Sequence, residues 1–391
     1  MPDFAELDAI TLESLRASGA TKWNRRDRAV GAFVAEMDYG TAPAVTRALH
    51  EAVDRGQFGY LPPQLQARMR AAVASYLRHR HGWDVAESRI HEMPDVVAIY
   101  RAAIEHFSRP GSAVIVPTPA YMPLLSLPPA LGREVIEVPM IRAADGSGFR
   151  NDLAAIERAF DAGGHLLALC NPHNPTGRVF TRAELLAIED LVHRKGGRVF
   201  SDEIWMPLTY PGHVHVSYAS IGARAAAHTV TGMAASKGFN LPGLKCAQLV
   251  LSNEADQAHW REVGVWAMHG AANLGLVATA AAFEQAQDWL EDIRAYLLRN
   301  RDALVGFLAE RAPRLRVLAP EGTYIAWLDC SDYAFPHGAQ AYLLEQAGVL
   351  CSDGAACGQS GRNHLRFIFA MPRPILLQAL ERLVTALARL D

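Results

Sequence analysis

Three side chains able to hold one small molecule follow apolar runs in the middle of this chain. Lys237 lies in Ala234-Ala-Ser-Lys-Gly-Phe-Asn-Leu-Pro-Gly-Leu-Lys245, Asp202 in Ser201-Asp-Glu-Ile-Trp205, and Asn174 in Asn171-Pro-His-Asn-Pro-Thr-Gly177. An amine taken out of water loses proton affinity, because burial penalises its charged form, and it becomes nucleophilic near neutral pH. The same amine, once free, can act as a general base. All three residues fall just past expected strand ends, and ligands of open α/β sheets bind beyond the carboxyl ends of the strands. One ligand could therefore meet all three. Each also has a plainer reading. Lys237 would then be a surface-loop lysine, Asp202 a helix cap or core-edge ion pair, and Asn174 a turn residue between the stiffening prolines Pro172 and Pro175.

The elements that must position these residues are marked by short apolar runs. Ala113-Val-Ile-Val116 stops at Pro117, Leu166-Leu-Ala-Leu169 runs into the Asn-Pro turn, and Arg198-Val-Phe-Ser201 runs into Asp202. Val230-Thr231 and Gln248-Leu-Val-Leu251 continue the series. Such runs alternating with helices predict a mostly parallel α/β sheet. Between them, Thr181 and Glu184 form a capping box, Leu185, Ile188 and Leu191-Val192 repeat at helical spacing, and Gly196 suits the left-handed cap. Asp95-Val-Val97 opens a helical stretch that reaches Phe107, and free N–H groups at such a start bind anions. From about Ala278 to Arg311 the pattern is helical for so long that it is expected to bridge two domains. Residues 1–45 read as an arm of little periodicity that packs with the small domain, 46–282 as a large domain and 283–391 as a smaller α/β domain.

Composition removes several function classes. The chain has 391 residues, enough for two domains, with 20 % charged residues and a net charge of −3. That balance offers no basic face for nucleic acid and no polybasic membrane anchor. Five scattered cysteines without a CxxC pair fit a reducing compartment. No secretory leader and no apolar run of membrane-span length is visible, so the expectation is a soluble cytoplasmic protein. His213-Val-His215 lacks a third ligand at suggestive spacing and reads as a solvated pair rather than a zinc site, so no metal is expected. Cys351 and Cys357 read as packed thiols, and neither a Gly-x-Ser-x-Gly elbow nor a Walker loop is present.

In their order and separation, the segments around Asn174, Asp202 and Lys237 resemble the fold-type-I pyridoxal 5′-phosphate (PLP) enzymes of the class I/II aminotransferase family. The surrounding sequence is most similar to their cystathionine β-lyase, or C–S lyase, branch, notably at Lys22-Trp23, Ala35-Glu-Met-Asp-Tyr39 and Gly243-Leu-Lys-Cys-Ala247. Gly322 to Asp329 and Asp353 to Ala356 extend the similarity to nearly the whole chain. The resemblance implies a mostly parallel seven-stranded sheet in the large domain, PLP as cofactor and a homodimer. It makes Lys237 the Schiff-base lysine and Cα base, and sets Asp202 on the pyridine nitrogen, where it keeps the ring an electron sink. It also places Asn174 on the ring hydroxyl oxygen and Tyr121 stacked on the ring. The phosphate would be held by the N–H groups of Val96 and Val97, by Ser236 and by Lys245, with Tyr60 reaching it from the partner subunit. Arg366, in His364-Leu-Arg-Phe-Ile-Phe-Ala370, would fork onto the substrate carboxylate, and Glu203 would be structural.

Four positions depart from the pattern. Lys245 stands where many relatives carry an arginine, keeping the charge without the bidentate fork, and Ala234 stands where many carry serine. Trp205 occupies a position usually held by tyrosine or histidine, at the cofactor, where its indole can donate a hydrogen bond to the ring hydroxyl oxygen but not accept or transfer a proton. Ile368 replaces a polar residue two after the arginine. The last two imply an altered pocket. The expected reaction is α,β-elimination from an L-cysteine S-conjugate such as cystathionine, giving a thiol, pyruvate and ammonia. The alternatives are an enzyme of specialised metabolism that eliminates, or decarboxylates and deaminates, a bulky conjugate; an aminotransferase; and a PLP-binding regulator. No appended helix-turn-helix supports the last.

Overall fold

A computed structural model describes residues 4–143, 146 and 148–390. Its larger sheet has seven strands in the order Ile90–Met93, Ala247–Leu251, Thr229–Met233, Arg198–Asp202, Gly164–Cys170, Ala113–Thr118 and Val135–Pro139. Only Ala247–Leu251 runs against its neighbours; the remaining pairs are parallel. Parallel strands need helical crossovers that cover both faces. Accordingly Ala113–Thr118 and Thr229–Met233 are buried along their whole length.

Register brings the chemistry-bearing turns together. Cys170 pairs with Asp202, and Asp202 with Gly232, so the Asn171–Gly177 turn, Asp202 and the loop to Lys237 leave the same edge of the sheet. The crossover helix Arg182–Arg194 starts at the expected capping box, in which Thr181 Oγ1 accepts from Glu184 N–H at 3.3 Å and the Glu184 carboxylate accepts from Thr181 N–H at 2.8 Å. Gly196 follows it with φ at 59°. The helix Val96–His106 lies on the sheet, with Tyr100 tilted against Phe200 at 4.9 Å between ring centres.

A second sheet of five strands has the order Val30–Ala32, Val349–Asp353, His364–Ile368, Ile325–Asp329 and Arg316–Val317. Val30–Ala32 pairs in parallel with Val349–Cys351, so the start of the chain is woven into this sheet. Ahead of that strand, the arm of little periodicity contains short helices. Phe4–Asp8, Leu12–Ala17 and Thr21–Asn24 are helical, but each is too short to show a 3.6-residue repeat.

The long helical stretch is corrected. It is two helices, Asn273–Gln285 and Gln287–Arg311, broken at Ala286. No glycine or proline marks the break. The Ala282 carbonyl keeps its bond from Ala286 N–H at 3.2 Å, and the Gln287 side-chain amide donates to it at 3.3 Å and to the Phe283 carbonyl at 3.2 Å. The first helix is buried nearly all round, from Gly275 to Phe283, and packs on the helices Pro43–Asp54 and Pro63–His81. The second packs on Arg373–Leu387. Among the described residues no helix is long and apolar enough to cross a membrane.

Candidate active site

A cavity of about 450 Å³ opens between the carboxyl edge of the large sheet and the small sheet. Its walls include Val96, Val97, Tyr121, Asn174, Asp202, Trp205, Ser236, Lys237, Lys245 and Arg366, so ten of the residues singled out from sequence meet in one space. Tyr60 does not join them. It is fully exposed on its own chain.

Lys237 is enclosed by protein with its amine directed at the carbonyl of Ala35, to which it donates at 2.9 Å. The ammonium also lies 5.6 Å from the centre of the Trp205 ring. Burial, reinforced by the Arg366 guanidinium, brings its pKa down to about 8. A useful share of the amine is then neutral at physiological pH.

Asp202 is buried at the end of its strand, and among the described residues its carboxylate accepts only from the N–H of Ile204 at 3.2 Å. Burial pushes its pKa up to about 7, against smaller opposing effects from that N–H and from Lys237. No cation is within ion-pair distance among the described residues. A carboxylate in this state lacks its partner.

Arg366 presents the opposite case. It is buried, its Nε donates to Asn174 Oδ1 at 3.0 Å, and its Nη1 donates to the carbonyl of Phe33 at 3.0 Å. Both acceptors are neutral, Nη2 makes no hydrogen bond among the described residues, and burial holds the pKa below the usual guanidinium range. A desolvated guanidinium that faces a cavity with no carboxylate in ion-pair distance among the described residues is a receptor for a carboxylate. The same bond turns Asn174 Oδ1 towards Arg366, leaving Nδ2 to donate.

At the other end of the cavity, Asp95 caps the helix Val96–His106 by accepting from Ala98 N–H at 2.8 Å. The N–H groups of Val96 and Val97 have no partner among the described residues, and the Ser236 hydroxyl stands nearby without one. Lys245 adopts a left-handed conformation and pairs with Asp95 at 2.9 Å. This exposed pair is weak, so the ammonium can turn to an anion at the helix start. Tyr121 sits on the cavity wall with its hydroxyl pKa raised by burial and then by Asp202.

Trp205 is almost wholly buried and meets Tyr324 edge-on, 4.7 Å between centres. Its indole N–H has no hydrogen-bond partner among the described residues. Ile368 does not share this role. It is fully buried in the core, paired across the sheet with Ile325, and does not line the cavity, so the expectation that it alters the pocket is corrected. The reading of His213 and His215 as a solvated pair is corrected as well. His215 is buried and bonded to Glu203 at 3.0 Å, while His213 lies 3.7 Å from Glu321. Glu203 is fully buried and also accepts from Ser201 Oγ and Tyr218 N–H, as a structural residue would. Cys351 and Cys357 are buried free thiols with raised pKa values.

Some cavity residues carried no assigned role in the sequence. Phe33 and Ala35 offer carbonyls to Arg366 and Lys237 respectively, and Tyr324 Oη donates to Ala35 at 2.9 Å. Glu36 also lines the cavity, and its carboxylate makes no bond among the described residues. Ala35-Glu36 and Tyr324 lie in stretches that carried the family resemblance, which was the available signal; backbone acceptors leave no side-chain signature.

Residues 34–383 match the family described as aminotransferase class I and II, and this chain belongs to that family. It is similar to a cystathionine beta-lyase of Corynebacterium glutamicum, 36 % identical over 379 residues covering 96 % of this chain and 99 % of that protein. Among solved structures it is similar to one described as a candidate PLP-dependent beta-cystathionase from Corynebacterium diphtheriae. That match has a TM-score of 0.91 and 36 % identity, covering 97 % of this chain and 98 % of the other. Cystalysin from Treponema denticola, which contains PLP, matches with a TM-score of 0.92 and 26 % identity over 100 % of both chains.

The residues present fit PLP on observations of this structure. Asp202 is a buried carboxylate lacking a cation, as a protonated pyridine nitrogen would supply. Free helix N–H groups beside a lysine suit a phosphate, and an enclosed amine of lowered pKa lies between the two ends.

Proposed function

We propose that this chain is a PLP-dependent C–S lyase that carries out α,β-elimination on L-cysteine S-conjugates, cystathionine among them, releasing a thiol, pyruvate and ammonia. The observation that carries the reading is the convergence of Lys237, Asp202 and an acid-free Arg366 on one enclosed cavity. When bound, PLP supplies a conjugated cationic ring that draws electrons from Cα. Asp202 would keep a proton on the ring nitrogen, and Asn174 Nδ2 would donate to the ring oxygen. Arg366 would clamp the substrate carboxylate and so turn the Cα–H towards Lys237. The Lys237 amine, neutral in a useful fraction because its pKa is about 8, would take that proton. The electrons left at Cα would form the Cα–Cβ double bond as the Cβ–S bond breaks and sulfur leaves as thiolate, which takes up a proton to give the thiol; water would then hydrolyse the released aminoacrylate to pyruvate and ammonia. Val96, Val97, Ser236 and Lys245 would hold the phosphate, and Tyr121 would cover the ring. We assign Tyr60 to the partner subunit's phosphate in a cytoplasmic homodimer, because its full exposure on its own chain supports a role across an interface.

Trp205 supports a preference within this class. A broad indole beside Lys237 leaves less room for small linear substrates and more stacking surface for flat or bulky conjugates. The test is product analysis after mixing purified protein and PLP with cystathionine, with and without a 2-oxo acid. Pyruvate released without the oxo acid supports elimination. Turnover that requires the oxo acid would make the protein an aminotransferase.

A further inference from the structure

Lys22-Trp23 and Glu36-Met-Asp38 have no part in the chemistry above, yet they form one of the most thoroughly buried charged groups of the chain. The side chains of Lys22 and Asp38 are 0 % and 4 % exposed. Lys22 Nζ uses all three donors, to Asp38 Oδ2 at 2.8 Å, the Glu36 carbonyl at 3.2 Å and the Ala370 carbonyl at 3.0 Å. The other Asp38 oxygen accepts from Trp23 Nε1 at 2.8 Å. Two amino-terminal segments and the chain just beyond the Arg366 strand are thus tied at one point. Gly31 permits the approach: a Cβ there would lie 2.0 Å from the Lys22 carbonyl oxygen.

From the opposite side the same segment is gripped by the Lys237 loop. Asn240 Oδ1 accepts from Met37 N–H and its Nδ2 donates to the Met37 carbonyl, each at 2.9 Å. Held from both sides, residues 33–38 present fixed acceptors to the cavity, Phe33 to Arg366 and Ala35 to Lys237 and Tyr324. Replacing a buried ion pair by neutral groups is often close to neutral for stability. Stability alone therefore does not account for placing a lysine and an aspartate here.

We infer that the buried Lys22–Asp38 pair is a positioning device for the reaction: it sets residues 33–38 so that the Ala35 and Phe33 carbonyls hold the Lys237 amine and the Arg366 guanidinium at a fixed separation across the cavity. This rests on the roles proposed above for Lys237 and Arg366. It assigns the arm a task in catalysis although neither Lys22 nor Asp38 lines the cavity.

The test is the double variant Lys22→Met/Asp38→Asn, which removes both charges while the introduced amide oxygen can still accept from Trp23. Lys22→Met alone would strand a buried carboxylate and is expected to unfold the protein. In the holoenzyme the double variant should raise KM and lower kcat together, with kcat/KM falling on the order of 10²-fold, as misplacement of about 1 Å does. Its melting temperature should stay near that of the wild type. A second readout needs no turnover: competitive acetylation of the apoprotein with acetic anhydride, followed at the Lys237 peptide across pH. The wild-type midpoint should lie near pH 8. Asp202, Glu36 and Arg366 are the charged groups around this amine and are unchanged in the variant. A midpoint shifted towards that of an ordinary lysine is therefore the expected sign of a displaced amine. A folded double variant with unchanged KM and midpoint overturns the inference, and so does one that unfolds, since the pair would then serve stability. Lys237→Ala, assayed alongside, separates the two claims. If it retains turnover, the role of Lys237 falls, while the acetylation profile still judges the pair.

Discussion

Replacing Asp202 by asparagine should stabilise the apoprotein while crippling the enzyme, and the two effects should have different pH dependences. The carboxyl pKa is pushed up to about 7 by burial, from an ordinary value of about 3.9. A raised carboxyl pKa means that the folded chain holds the proton more tightly than the unfolded chain does. The contribution to stability is therefore fully present below about pH 4 and is lost as pH rises through about 7. Roughly three units at about 1.36 kcal/mol each set the cost above pH 7 at no more than about 4 kcal/mol. Asparagine carries no such cost, and its Oδ1 can keep the bond from Ile204 N–H. The Asp202→Asn apoprotein should then be up to about 4 kcal/mol more stable than wild type at pH 8 and no more stable at pH 4. For a chain of this size that is about 5 °C in melting temperature. Urea unfolding of both apoproteins at the two pH values measures the difference. In the PLP-loaded protein the same change should lower turnover by ~10²–10³, since one strong electrostatic contact is lost. An equal gain at both pH values, or none at pH 8, would refute the view that Asp202 is an uncompensated buried charge awaiting a cationic partner.

Further outcomes follow from the same cavity. Lys237→Ala should abolish turnover and the covalent, borohydride-reducible attachment of PLP, and in the wild type peptide mapping should place the label on Lys237; a label on another lysine removes the assignment. Arg366→Lys should raise KM by about 10–100-fold, the worth of one charged hydrogen bond, with a smaller loss in kcat. If amines without a carboxylate react as well as amino acids do, the clamp is misassigned. Trp205→His should improve cystathionine elimination, read as steady-state pyruvate release, because a ring that exchanges protons replaces one that only donates. Efficient cleavage by the wild type, unchanged or worsened by histidine, would make Trp205 a packing residue.

Local chemistry in the chain was enough to place Asn174, Asp202 and Lys237 at strand ends. Periodicity, the Thr181 capping box and the prolines around Asn174 act over a few residues and leave their mark in the linear order. The family resemblance added the cofactor and the role of Arg366. Tertiary structure decided what no local rule encodes. The Cys170–Asp202–Gly232 register sets the turns side by side, and a helix without glycine or proline at that point is interrupted at Ala286, where the Gln287 amide bonds the Phe283 carbonyl. His215 is drawn inside by Glu203, Ile368 is turned into the core away from the cavity, and Lys22 is anchored to Ala370, 348 positions away. The charge states of Lys237 and Asp202 belong to the same class. A side chain's torsional preferences travel with its neighbours in sequence, whereas its burial and its partners come from segments that meet only when the chain has folded.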